Sequence, residues 1–124
     1  MSKAASRVRA YRFGHLAETL ATVVLRLKGY GILARRYRTK VGEIDVIAKR
    51  GRVLAMVEVK ARTGGGVDAA DSLGREQRRR IERAAELWRA AHPGSENYDI
   101  RFDLMIIGPH FLPRHLPGAW IAGD

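Results

Sequence analysis

A chain of 124 residues, 46% of them hydrophobic, has room for one domain with a modest core and too little for two. Its 23 Lys and Arg against 13 Asp and Glu leave a formal charge of +10, which favours a polyanion, nucleic acid first, with a generic basic surface or ribosome association as the plainer alternative. The absence of cysteine excludes a disulfide framework and fits a reducing, cytoplasmic setting, and no apolar run reaches the roughly 18 residues of a membrane span, so a soluble chain with no membrane partner is expected.

The basic start M-S-K-A lacks a hydrophobic signal core, so residues 1–8 are read as a disordered start and not as a targeting segment. Residues 9–28 predict the first helix. Phe13, Leu16, Leu20, Val23, Val24 and Leu27 recur at helical spacing and are expected to face the core, and Gly29 follows as a stop. Gly14, Ala17 and Ala21 make a second, small-residue stripe with Glu18 at its margin, which would let the helix approach another element closely. His15 is read as a surface or phosphate-contacting residue. Residues 30–38 predict an opening strand whose outer half is basic. Arg35, Arg36, Arg38 and Lys40, with Tyr37 between them, suit either a phosphate-contacting edge with one ring for stacking or an edge strand guarded against aggregation.

Residues 42–48 and 53–60 predict a β-hairpin, both arms being rich in β-branched and apolar residues around a polar, glycine-containing turn. Alternation puts Glu58 and Lys60 on one face with Leu54 and Met56, and Val53, Ala55, Val57 and Val59 on the other. With Arg50-Gly51 as the turn, Asp45 falls opposite Met56 and diagonal to Glu58, at a backbone separation of roughly 7–8 Å. Two carboxylates at that separation can reach one hard divalent cation. Acids and a lysine on so apolar a hairpin cost several kcal/mol each if buried unpaired. They are therefore either a Glu58–Lys60 or Asp45–Lys60 ion pair without chemistry, or a phosphodiesterase site in which Asp45 and Glu58 hold Mg2+ or Mn2+ and Lys60 orients the nucleophile or neutralises developing charge.

Residues 63–68, T-G-G-G-V-D, form a glycine-rich loop that lacks the G-K-[ST] ending of a nucleotide-binding loop; it is read as a mobile flap or as an ordinary linker. Residues 71–91 predict the second helix, capped by Asp71 or Ser72 and stopped by Pro93, with Leu73, Gln77, Ile81, Ala84 and Trp88 along one face. Arg75, Arg78, Arg79, Arg80 and Arg83 cover the rest and, with Arg62 after the hairpin, could follow a phosphate backbone, or be solvated beside Glu76, Glu82 and Glu86. Residues 100–107 give a strong strand signal in which Asp103 is read as structural. The tail, residues 109–124, is broken by Pro113 and Pro117 and is expected to cover the sheet edge with Leu112, Leu116 and Trp120.

D-x12-E-V-K resembles the PD-(D/E)xK nuclease signature, and the wider run GEIDVIA…VEVKAR resembles the bacterial YraN-like family, related by motif to Holliday-junction resolvases. G-H-L-A-E at 14–18, K-G-Y-x-I-L at 28–33, R-F-D at 101–103 and H-L-P-G-A-W at 115–120 extend the likeness over nearly the whole chain. One departure stands out: Ile44 occupies the place of the proline in the superfamily's name. The resemblance implies an α/β, restriction-endonuclease-like single domain, with a mixed central sheet flanked by helices. It implies a metal-dependent endonuclease acting on DNA, branched DNA included, with Asp45, Glu58 and Lys60 at its centre and Glu18 as an additional metal or water ligand. It also brings Gln77 towards Lys60 or the substrate, where the residues alone leave it as a core-edge side chain bonded to backbone. A homodimer follows by the same analogy. Two other classes stay open: a nucleic-acid-binding protein with weak or no turnover, and an RNA-associated basic module.

Overall fold

The computed structural model describes residues 3–62, 73–108, 110 and 112–124, residues 3–13 by their backbone alone. The elements run α1 (Lys3–Leu27), β1 (Gly31–Arg38), β2 (Glu43–Arg50), β3 (Val53–Ala61), α2 (Arg75–Ala91), β4 (Asp99–Ile107) and β5 (Pro113–Trp120), with a short 3-10 turn at Ser95–Asn97 before β4. The strands form one sheet in the order β1-β2-β3-β4-β5. Neighbours are antiparallel except β3 and β4, which α2 connects as a parallel pair. This mixed sheet with a helix on each face is the expected α/β fold and is compatible with a restriction-endonuclease-like architecture. Among the described residues no helix is long and apolar enough to cross a membrane.

Alternation along β3 divides the core. Leu54 and Met56 join Ile44, Ile47, Phe102 and Trp120 beneath Ile81, Ala84, Ala85 and Trp88 of α2. Ala55 and Val57 join Val46, Ala48, Met105 and Ile107 beneath Ala17, Ala21 and Leu25 of α1. Glu58 and Lys60 therefore lie on the α2 face, where the sequence placed them.

The expected core stripe of α1 holds at Leu20 and Val24, which pack against the α1-side core, and is corrected elsewhere. Leu16, Val23 and Leu27 are 52%, 42% and 83% exposed, whereas Ala17, Ala21 and Leu25 are fully buried. The sheet beneath is paved with valine and alanine, and the small-residue stripe seats the helix closely on it. Glu18, beside that stripe, is carried down with it to 8% exposure. The helix also begins at Lys3, within the expected disordered start. The side chain of Phe13, the glycine-rich segment 63–68 and the proposed caps Asp71 and Ser72 lie outside the described residues.

Two further readings are corrected. The hairpin turn is Gly51-Arg52, flanked by the Arg50↔Val53 pair, so Ile47 faces Met56 and continuation of the register brings Asp45 level with Glu58. The cause is Gly51, which takes the left-handed region (φ 60) that a two-residue hairpin wants at its first central position. A shift of two residues preserves the faces, so both acids stay together. The tail covers the sheet edge as expected at Trp120 but does so as a fifth strand: Trp120 stacks on Phe102 at 5.3 Å between ring centres and donates from Nε1 to Glu82 of α2 at 3.1 Å, while Leu112 stays exposed. The prolines are tolerated because β5 is an edge strand.

Candidate active site

β2 and β3 separate after the Val46↔Val57 pair, and Asp45 turns this to use. Its Oδ2 accepts the backbone N–H of Val59 at 2.8 Å, so the carboxylate takes the place of a strand partner and reaches between Glu58 and Lys60. Ile44 and Ile47 both join the α2-side core and Val46 the other, so alternation is broken across Asp45. Asp45 consequently stands on a rim between two clefts. One, about 650 Å3, opens on the α2 side and is lined by Glu43, Asp45, Glu58, Gln77 and Arg80. The other, about 300 Å3, opens on the α1 side, with Glu18, His15 and Arg36.

Glu58 is 7% exposed. Lys60 Nζ lies 3.4 Å from its Oε1, and Gln77 donates from Nε2 to the same oxygen at 3.1 Å. Gln77 thus bonds a side chain and not backbone, one turn into the helix that leads away from β3. Burial first, and then the negative charge of Asp45, push the Glu58 carboxyl up to about 8, against the opposing pull of Lys60. Burial also raises Asp45, joined by the charges of Glu18 and Glu43 and opposed by the Val59 N–H and Lys60. Two acids therefore share a cleft wall with one lysine, and their burial and mutual charge favour holding a proton between pH 5 and 8.

This donor set suits a hard divalent cation of one kind. Among the described residues no group of three or more His, Cys, Asp or Glu side chains is arranged around one cation position. Mg2+ needs none, since it keeps much of its water and is commonly held by one or two carboxylates together with substrate phosphate. Asp45 and Glu58 fit that requirement.

The remaining candidates divide. Glu18 contributes to the field at Asp45, but its carboxylate is engaged: Arg36 Nε donates to both of its oxygens at 3.1 Å, and Arg35 Nη2 lies 3.6 Å away. Arg36, in the left-handed region with φ 52, also reaches His15 Nδ1 at 2.7 Å. Arg38 pairs with Glu43 at 3.6 Å, and Tyr37 packs against the α2-side core. Lys40 is exposed on the β1–β2 turn. Arg62 closes β3 with its backbone on Ile107; Arg75 is exposed at the start of α2; Arg78 is half-buried; Arg79 pairs with Glu82 at 3.5 Å and donates to Gly123 O at 2.9 Å.

The sequence motif G-E-I-D hid one determinant. Gly42 runs against the backbone of α2 so closely that a Cβ there would stand 2.0 Å from the Arg80 carbonyl oxygen. Only glycine lets β2 begin under the helix, which places Asp45 and Gln77 in the same cleft. A lone glycine next to an acid gave the signal but not the partner.

Residues 17–107 match the model of "Uncharacterised protein family UPF0102", a span that includes Glu18, Asp45, Glu58, Lys60 and Gln77. A UPF0102 protein of Parvibaculum lavamentivorans is 52% identical over 116 residues, covering 94% of this chain and 86% of its own length. One of Nitrobacter winogradskyi is 52% identical over 116 residues, covering 94% and 98%. One of Mesorhizobium japonicum is 47% identical over 116 residues, covering 94% and 92%.

Proposed function

The chain belongs to the UPF0102 family, and from its carboxyl pair we propose that it is a divalent-metal-dependent endonuclease of the PD-(D/E)xK type, hydrolysing DNA phosphodiesters, branched DNA included. The observation that carries this reading is the placing of Asp45 and Glu58 together at the wall of one open cleft, with Lys60 Nζ 3.4 Å and Gln77 Nε2 3.1 Å from Glu58 Oε1. A structural ion pair would keep its acid ionised; here burial and the neighbouring Asp45 push Glu58 towards its protonated form, the condition of sites built to take a cation or a proton.

Asp45 and Glu58 would hold Mg2+ or Mn2+, which supplies Lewis-acid activation of water and of the phosphate oxygens when bound. Lys60, tethered 3.4 Å from Glu58 Oε1, orients the attacking water and offsets charge gathering on the phosphate. Gln77 holds Glu58 Oε1 so that the carboxylate plane is fixed before substrate arrives. The attacking water gives one proton to solvent as its oxygen bonds to phosphorus in line with the sugar oxygen that leaves, and that leaving oxygen takes up a proton from solvent. Glu18 joins as a third oxygen ligand only if its pairs with Arg36 and Arg35 open.

The test is incubation of the purified protein with duplex and four-way-junction DNA in Mg2+ or Mn2+. Cleavage is expected from the wild type and not from Asp45→Ala or Glu58→Ala, with DNA binding retained. Unchanged cleavage by the double variant rejects the proposal. The engagement of Glu18 by arginines supports a second reading, a nucleic-acid-binding module without efficient turnover. It predicts salt-sensitive binding and no product with any divalent ion.

A further inference from the structure

The acidic cleft does not end at α2. Arg80 lines it and also lines a neighbouring cleft of about 520 Å3 formed by Lys40, Val41, Glu76, Arg79, Arg80 and Arg83. The junction is rigid. Thr39 Oγ1 donates to Gly42 O at 2.7 Å and accepts the N–H groups of Val41 and Gly42 at 3.2 and 3.0 Å, which fixes the β1–β2 turn. Gly42 then docks that turn on the Arg80 carbonyl. Lys40 and the arginines of α2, far apart in sequence, are held in one concave surface as a result.

Arg79 pairs with Glu82 at 3.5 Å, but Lys40, Arg80 and Arg83 are exposed, share the cleft with Glu76, and form no ion pair with any described carboxylate, so they repel one another. The arginines of β1 differ: Arg35 and Arg36 pair with Glu18, and Arg38 pairs with Glu43. A phosphate reaching the β1 edge must displace a carboxylate, whereas one reaching the α2 cleft relieves repulsion.

We propose that the cleft of Lys40, Arg79, Arg80 and Arg83 is the binding track for a nucleic-acid strand, whose sugar-phosphate backbone passes over Arg80 into the acidic cleft. The basic edge of β1 is then not the principal contact. The path rests on the nuclease reading for the meaning of the acidic cleft, but its own claim is about binding.

The experiment is fluorescence anisotropy in EDTA with short labelled single-stranded DNA, the same sequence as RNA, and the DNA duplex, over a range of salt. Lys40→Gln/Arg83→Gln is expected to bind at least tenfold more weakly than the wild type, with a salt slope shallower by about 1.5, as two lost phosphate contacts require. Arg35→Gln/Arg38→Gln should change affinity less than threefold. Circular dichroism checks that both fold, as exposed positions should allow. Equal loss from DNA and RNA marks backbone recognition; loss confined to one marks a sugar-specific track; both support the cleft. The proposal is overturned if the cleft variant binds like the wild type, if the β1 variant loses as much, or if the wild type does not bind. Because no metal is present, failure of cleavage leaves this result standing, and failure of the track leaves the cleavage test standing.

Discussion

Asp103 and Glu58 are both buried acids on adjacent strands, and the sheet treats them in opposite ways. In the β3–β4 register Asp103 lies level with Val57, one residue before Glu58, but on the α1 face. It is completely buried and accepts Arg101 Nε and Nη2 at 2.8 and 2.7 Å, His115 Nε2 at 2.9 Å and the Gly118 N–H at 3.0 Å. Burial alone would raise its carboxyl; the bonds from Arg101, His115 and Gly118 outweigh it and hold Asp103 below the usual aspartate value. Arg101 is in turn raised, chiefly by its bonds to Asp103, with Tyr30 adding to it. Across the sheet Glu58 meets another acid and is pushed up. Equal burial therefore does not mean equal role. Asp103 joins β4 to β5, while Glu58 faces a second acid at a cleft wall.

Removing each acid should separate the two cases most widely. Glu58→Gln, or Asp45→Ala, is expected to lower Mg2+-dependent cleavage by about 10^3-fold or more, since several kcal/mol of transition-state stabilisation go with the metal. Glu58→Gln should melt, without metal at neutral pH, at the same or a higher temperature, because a buried charge conflict is removed. Asp103→Ala should do the reverse. It strands Arg101 beside Tyr30 and leaves the Gly118 N–H without its acceptor, a loss of about 3–5 kcal/mol and a Tm roughly 10 °C lower or more. An Asp103 variant that melts like the wild type would undo the comparison.

A pH titration sharpens it. Glu58 is protonated in the folded chain up to about 8 but only up to about 4.5 when unfolded, so the folded state binds the extra proton in between. Stability from this group is present below the unfolded value and is lost as pH rises through the folded one, by an amount on the order of a few kcal/mol. Asp103 has the opposite sign: its contribution is present above the unfolded value of 3.8 and is lost as pH falls through the lowered folded one. Metal-free wild type should therefore lose Tm between pH 5 and 8, about the interval the Glu58 shift defines. Glu58→Gln, or added Mg2+, should flatten that limb while leaving the acid limb in place; a limb unchanged by both would remove Glu58 as its source.

The contrast was half legible in the sequence. Strand alternation put Glu58 and Lys60 on one face, and the two-residue register error did no harm because the period of a strand is two. The helix α1 was harder. Large apolar residues and small ones formed rival stripes, and only the alanine and valine paving of the sheet decides that Ala17, Ala21 and Leu25 go inward while Leu16 and Leu27 stay out. The satisfaction of Asp103 was not legible, because His115 and Gly118 reach it from a segment whose prolines read as a break and which pairs as a strand. The role of Gly42 depends on a helix more than thirty positions away.

Gln77 gives the smallest and most discriminating prediction, because it bonds the frustrated acid without carrying charge. Its Nε2 donates to Glu58 Oε1, the oxygen that Lys60 also approaches, so it fixes the carboxylate whether or not a cation is present. Gln77→Ala removes one hydrogen bond from a half-buried position, which costs only about 1 kcal/mol of stability. As a support of a ligand it should cost more in function, about 10-fold in Mg2+ affinity or cleavage rate, because Glu58 then turns freely and must be reordered when the ion binds. Gln77→Glu separates orientation from charge. It keeps the length, removes the donor and adds a third acid beside Glu58, so it should weaken DNA binding without metal while Mn2+ restores part of the loss. If both variants cleave like the wild type and shift Tm only slightly, Gln77 is an ordinary core-edge residue and Glu58 is positioned by Lys60 and Asp45 alone.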